Sequence, residues 1–163
     1  MRVLAALLLW ALPTLAAACE DIVYDGNSYT LCTVLPGEEE LRLFLYDDTG
    51  RPFGQFSAIN RALREDGAQL DFAMNAGMYH NDRAPVGHYV EDGKEVMRVI
   101  PNPGPGNFGL LPNGVLCLRA GRADVFETLD FVQAAPECLY ATQSGPMLVI
   151  DGGLHQRLVP DST

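Results

Sequence analysis

Basic residues are scarce in this sequence. Eleven Lys and Arg stand against twenty-one Asp and Glu, a formal net charge of −10. A surface of that sign repels phosphate backbones, which argues against nucleic acid as a partner, and it presents no basic face to anionic lipids. Long apolar runs are lacking too. A spanning helix takes about 20 consecutive apolar residues, and the run from Val3 to Leu12 stops short of that. No CxxC pair is present, and His80, His88 and His155 stand at no familiar ligand spacing, so neither a metal nor another cofactor is expected. There is no internal repeat of solenoid length and no low-complexity tail, which excludes a stacked-repeat architecture. What remains, with 48% hydrophobic residues in 163, suits one globular domain with one core.

The short apolar run is itself informative. Arg2 precedes it, Pro13 and Thr14 break it, and Ala16-Ala17-Ala18 supplies small residues at the positions a signal peptidase reads. That layout predicts a signal peptide over residues 1–18 and an exported domain over residues 19–163, periplasmic or secreted, with no transmembrane segment after cleavage. Cleavage exposes Cys19, which opens a second reading, a lipid anchor on that sulfur. A lipobox places Leu three residues before its Cys, and here Ala16 holds that position.

The cysteines number four: Cys19, Cys32, Cys117 and Cys138. An even count in an exported chain reads as disulfides. Of the three possible pairings, sequence proximity favours Cys19–Cys32 and Cys117–Cys138.

Short alternating runs separated by turn dipeptides point to an α+β domain, a mostly antiparallel sheet with hairpins and two short helices. Asp25-Gly26, Asp92-Gly93, Asn113-Gly114 and Asp151-Gly152 are turn signals, because these residues tolerate positive φ. Hairpins are expected between residues 89–91 and 95–99, between 107–111 and 115–118, and between 147–150 and 154–156. Leu41, Leu43 and Leu45 suggest a strand, as do Leu70, Phe72 and Met74. Ser57 suits the cap of a helix that Gly67 stops, with Ile59, Ala62 and Leu63 on its buried face. A second helix is expected over residues 127–135, ended by Pro136. Residues 101–106, rich in Pro and Gly, read as a loop bordering a site.

Two segments share a design. Phe72-Ala73-Met74-Asn75-Ala76-Gly77-Met78-Tyr79 and Leu139-Tyr140-Ala141-Thr142-Gln143-Ser144-Gly145-Pro146 each end an apolar run in a polar residue followed by a glycine turn. Such an end puts a hydrogen-bonding group at a pocket floor, although Asn and Ser also suit plain turns. These segments, with Pro85-Val86-Gly87, Asn107-Phe108-Gly109, Pro112-Asn113-Gly114 and Met147-Leu148-Val149, resemble the phosphodiester glycosidase family in order and spacing from about Leu41 onward. One departure is Ala76, where many members carry a second glycine. Another is that members continue with an Arg-containing and an Asp-Gly-rich segment beyond the point where this sequence stops, so the resemblance implies the N-terminal part of a longer domain.

The resemblance implies an exported hydrolase that cleaves a sugar from a phosphodiester or envelope glycan, with a carbohydrate or sugar-phosphate small molecule as its partner. It implies a pocket wall of Asn75, Gly77, Tyr79, Gly87, Asn107, Ser144 and Gly145. Asn75, His80 and Ser144 are the candidates for chemistry. Phosphate leaves readily, so what such a reaction needs is oxocarbenium stabilisation and a water, work that glycosidases commonly give to carboxylates. Asp71, Asp82, Glu91, Asp92 and Asp151 are the candidates, each also explained as a turn or solvated residue. The alternative to hydrolysis is a non-catalytic carbohydrate-binding or exopolysaccharide-related envelope module.

Overall fold

A computed structural model describes residues 18–155. The proposed signal peptide, apart from its last residue, and the end of the third expected hairpin at Gln156 lie outside the described residues. The architecture is α+β, with every strand pairing antiparallel. β1 (Ala18–Tyr24) and β2 (Asn27–Thr33) form a hairpin of their own, turned at Asp25 and Gly26, both at positive φ. After α1 (Phe56–Glu65) come β3 (Tyr89–Glu91), β4 (Lys94–Met97), β5 (Gly114–Arg119), β6 (Arg122–Glu127), α2 (Thr128–Ala134) and β7 (Tyr140–Ser144). Five of these strands build one sheet in the order β4-β3-β7-β5-β6. A last small hairpin joins β8 (Val149–Ile150) to β9 (Gly153–Leu154). Among the described residues no helix is long and apolar enough to cross a membrane.

Strand alternation gives the sheet two unlike faces. On one, Val90, Val115, Cys117 and Ala141 pack against Phe131 of α2, with Val99, Phe126 and Cys138 around them. α2 is well begun and well ended. The Glu127 carboxylate accepts from the Leu129 and Asp130 amides, and Ala135 closes the helix in the left-handed conformation ahead of Pro136. Cys117–Cys138 ties this face of β5 to the segment entering β7, and Cys19–Cys32 joins directly opposed residues of β1 and β2. Both disulfides fit an oxidising compartment.

A buried polar network stitches the same face together. The Gln143 amide nitrogen donates to the Ile100 carbonyl at 2.8 Å, to Asn113 Oδ1 at 3.2 Å and to Thr128 Oγ1 at 3.2 Å. Its oxygen accepts from the His88 and Ile100 amides, both at 3.0 Å. Asn113 Nδ2 donates to the Phe108 carbonyl, and Thr128 Oγ1 donates to Asn113 at 2.6 Å. His88, tilted against the Phe131 ring, meets the Met97 carbonyl at 3.0 Å through Nδ1. A carbonyl only accepts, so Nδ1 carries the proton. Asn113, Thr128 and Gln143 are almost wholly buried, and groups so buried are tolerable only when satisfied.

Several expectations need correction. Residues 107–111 are not a strand: Asn107–Gly109 is a single 3-10 turn, and β5 pairs with β6 across Ala120-Gly121 and with β7. The Pro112-Asn113 step is no free turn because Asn113 is anchored in the polar network. Residues 41–46 and 70–74 form no strand, apart from a single bridge between Tyr46 and Pro52. Residues of both segments line the cleft that the second sheet face also lines, and neither segment adds a strand to the sheet. Ser57 lies inside the first turn of α1, whose N-cap is Gln55 without a side-chain cap bond. Ile59 and Leu63 are half-buried, whereas Ala62 is exposed.

Candidate functional site

The second face of the sheet opens onto a cleft of about 880 Å³. Its floor is Tyr89 of β3, Leu116 and Leu118 of β5, Val125 of β6, and Thr142 and Ser144 of β7. Residues 41–45, α1 and residues 70–79 form the opposite wall, with Phe44, Phe53, Phe56 and Phe72 contributing rings. The chain folds this way because β7 and its neighbours carry side chains of moderate size on this face. The cleft stays open on both sides: Val125 of the floor is 65% exposed and Met74 of the opposite wall is 69% exposed.

Of the residues picked from the sequence, Asn75, Gly77, Tyr79, Gly87, Ser144 and Gly145 line this cleft. His80 and Asn107 do not. His80 is exposed and spends its backbone groups on the tight loop that follows, its amide on the Ala84 carbonyl and its carbonyl on the Arg83 amide. Asn107 begins the 3-10 turn, and its carbonyl accepts from the Leu110 amide. No hydrogen bond to another described residue occupies the Asn75 amide or the Ser144 hydroxyl, so both can turn to a ligand.

The glycines of the motif do a structural task. A Cβ on Gly77 would stand 2.5 Å from Thr142 Oγ1 and 2.7 Å from the Gln143 carbonyl oxygen. One on Gly87 would meet the Phe108 ring at 2.6 Å, and one on Gly145 would meet Asn113 Cβ at 2.4 Å. Such distances are far inside van der Waals contact. The three glycines therefore press the 72–87 segment and the β7 exit onto the sheet, and this presents Asn75 and Ser144 at the cleft.

Electrostatically the cleft is unlike the rest of the molecule. Among the described residues no Asp, Glu or His lines it, while Arg42 and Arg83 do. Arg42 lies 4.9 Å over the Phe44 ring, and Arg83 lies 5.0 Å over the Tyr79 ring. Beside the cleft, burial and then the Glu91 charge hold the Tyr89 phenol well above its usual range, so it stays neutral and donates to Glu91 Oε2 at 3.1 Å. Burial likewise raises Glu91, against bonds from Tyr89 and the Leu45 amide. Tyr140 donates to Asp92 and is raised by burial and by that bond. Among the described residues no three His, Cys, Asp or Glu side chains gather where a metal could be held.

Sequence reasoning, which placed Tyr79, Tyr89 and Phe108 near the pocket as sugar-stacking rings, missed Arg83 and Arg42 at the cleft, and the roles of Asn113, Thr128 and Gln143 beneath it. Gln143 stands between Thr142 and Ser144 in β7, so only its place two residues from the inward-facing Ala141 marks it as buried. Nothing in the local pattern marks Arg83.

No protein-family model matches the chain, and no solved structure matches it. A curated relative is the "Uncharacterized protein YigE" of Escherichia coli (strain K12), 31% identical over 157 residues, which are 95% of this chain and 61% of the relative. The chain thus spans about three-fifths of that relative's length.

Proposed function

We propose that this chain forms the sugar-binding wall of an exported hydrolase of the phosphodiester glycosidase type, acting on a sugar-phosphodiester or envelope glycan. The observation that carries the reading is convergence. Asn75 and Tyr79 come from one segment and Ser144 from another far along the sequence, and all three line one cleft rich in aromatic rings. Aromatic faces and unoccupied amide and hydroxyl groups are what a sugar ring requires, apolar contact on one side and hydrogen bonds at its rim. In such a site Asn75 and Ser144 would hold the sugar hydroxyls, and the phosphate would leave without strong general-acid help.

A second reading, a non-catalytic carbohydrate-binding module, is favoured by one specific feature: no carboxylate among the described residues lines the cleft. Glycosidases commonly use a carboxylate pair. An assay of the full-length protein on an N-acetylglucosamine α-phosphodiester tests both. Turnover that falls by on the order of a hundredfold in Asn75→Ala and Ser144→Ala, with folding intact, supports hydrolysis at this site. Binding without turnover selects the second reading. Turnover unchanged in both variants would remove the site assignment.

A further inference from the structure

Arg83 sits where the backbone would rather have a glycine. Residues 79–85 form a tight reversal: Tyr79 bridges Pro85, the His80 amide donates to the Ala84 carbonyl, and the Arg83 amide donates to the His80 carbonyl. This is a short turn followed by a left-handed residue, a loop whose left-handed position normally takes Gly or Asn. Arg83 occupies it at φ 74°. The other non-glycine residues of positive φ among those described are three Asp residues preceding glycine in two-residue hairpins and Ala135 at a helix end. Those are ordinary places for that conformation, whereas a long cationic side chain in this one is strained.

What the strained position does is aim a cation. The guanidinium lies over the Tyr79 ring, on a side chain that lines the cleft. No acidic side chain among the described residues forms an ion pair with it, in a chain where acids outnumber bases almost two to one. Asp82, next in sequence, instead accepts from the Ala84 amide and so stabilises the loop. A guanidinium held within cation–π distance of an aromatic face can still offer its forked N–H edge to a ligand. That edge matches a phosphate or carboxylate.

We propose that Arg83 reads the anionic substituent of the cleft's ligand, making the ligand an acidic carbohydrate whose phosphate or carboxylate oxygens meet the guanidinium while its ring occupies the aromatic wall. The proposal rests on the reading of the cleft as a sugar site and adds to it the residue that sets specificity for charge. Arg83 is a binding residue here and takes no part in proton transfer.

The test is titration of the full-length protein, by calorimetry, with N-acetylglucosamine, N-acetylglucosamine 1-phosphate and glucuronic acid, repeated on Arg83→Gly and Arg83→Lys. The native protein is expected to prefer an acidic sugar over the neutral one by on the order of tenfold. Whichever acidic sugar binds more tightly identifies phosphate or carboxylate as the source. Arg83→Gly should erase the preference while its thermal midpoint stays level or rises, since glycine relieves the backbone. Arg83→Lys should keep part of the preference. An undiminished preference in Arg83→Gly overturns the role of Arg83 and leaves the sugar site standing. A native protein that binds none of the three overturns the sugar site and the proposal with it.

Discussion

Gly87 and Gly93 separate two reasons for being glycine. Around Gly87 there is no room: a Cβ would strike the Phe108 ring and come within 2.9 Å of Gln143 Oε1. Gly93 has open space around it but a φ of 72° in its hairpin turn. Gly87→Ala should therefore cost about 2 kcal/mol through overpacking, and Gly93→Ala about 1 kcal/mol through backbone strain alone. Urea unfolding of the two variants measures both, and a larger loss at Gly93 would contradict the packing of residues 72–87 onto the sheet. Gln143 tests the same packing from below. Gln143→Leu strands the His88 and Ile100 amides without their acceptor, an expected loss of about 3 kcal/mol by the ordinary cost of unsatisfied buried groups. Glu91 gives a signature in pH. Burial raises its folded pKa above its unfolded value, so its protonated form favours the fold. Its favourable contribution is present below the unfolded pKa, near 4.5, and is lost as pH rises through the folded pKa. Glu91→Gln should consequently gain stability over the native protein at neutral pH and lose that advantage below pH 4.5. A constant gap across that range would mean that Glu91 does not titrate anomalously. Asp124, held low by Arg122 and then Arg119, acts in the opposite sense and withdraws its contribution in acid.

Among the elements, the two disulfides differ in what depends on them. Cys117–Cys138 lies within the packed face, where Cys117 has no exposure and Cys138 touches the core. Cys19–Cys32 staples a hairpin whose residues 19–31 are all exposed. An unsupported two-stranded hairpin is marginal in water. Replacing Cys19 and Cys32 by serine should thus fray β1 and β2 and leave the midpoint of the five-stranded sheet unchanged. Replacing Cys117 and Cys138 should cost about 3 kcal/mol globally. Hydrogen exchange resolved by segment checks this, and global destabilisation from the first pair would show that the hairpin is packed into the domain. The legibility of elements followed the same division between local and distant causes. The hairpins at Asp92-Gly93 and Asp151-Gly152, and α2 with its Pro136 stop, rest on local chemistry and could be read directly. The partner of β5 could not, because Asn113-Gly114 looks like a hairpin turn while Asn113 is recruited by Gln143, thirty residues away. Residues 41–46 and 70–74 carry a strand's alternation but, the single Tyr46–Pro52 bridge apart, meet no partner strand among the described residues, a tertiary fact that no local period encodes. The candidate site divides likewise: the Asn75-to-Tyr79 and Ser144-Gly145 segments meet at the cleft, whereas Arg83 enters it only through the turn's geometry.

At the scale of the whole molecule, charge and apolar surface are segregated. The chain is strongly acidic, yet the described residues lining the cleft are mostly apolar, and their charged members are two arginines. Phe56, Phe72, Met74 and Val125 all remain substantially exposed there. A contiguous exposed apolar face of this kind marks a binding surface. Two consequences follow for a folded protein in solution. A hydrophobic dye such as ANS should bind the native state, with near-UV dichroism and cooperative unfolding intact, which distinguishes an open site from a loosely packed globule. A ligand of the cleft should displace the dye and raise the unfolding free energy by about 2.7 kcal/mol at a hundred times its dissociation constant. For an acidic ligand that gain should shrink as salt is raised, because its preference depends on charge, whereas the gain from a neutral sugar should hardly change. Dye uptake that survives saturation with every sugar tested would separate the apolar face from the ligand site, and absent dye uptake would mean that this face is covered in solution.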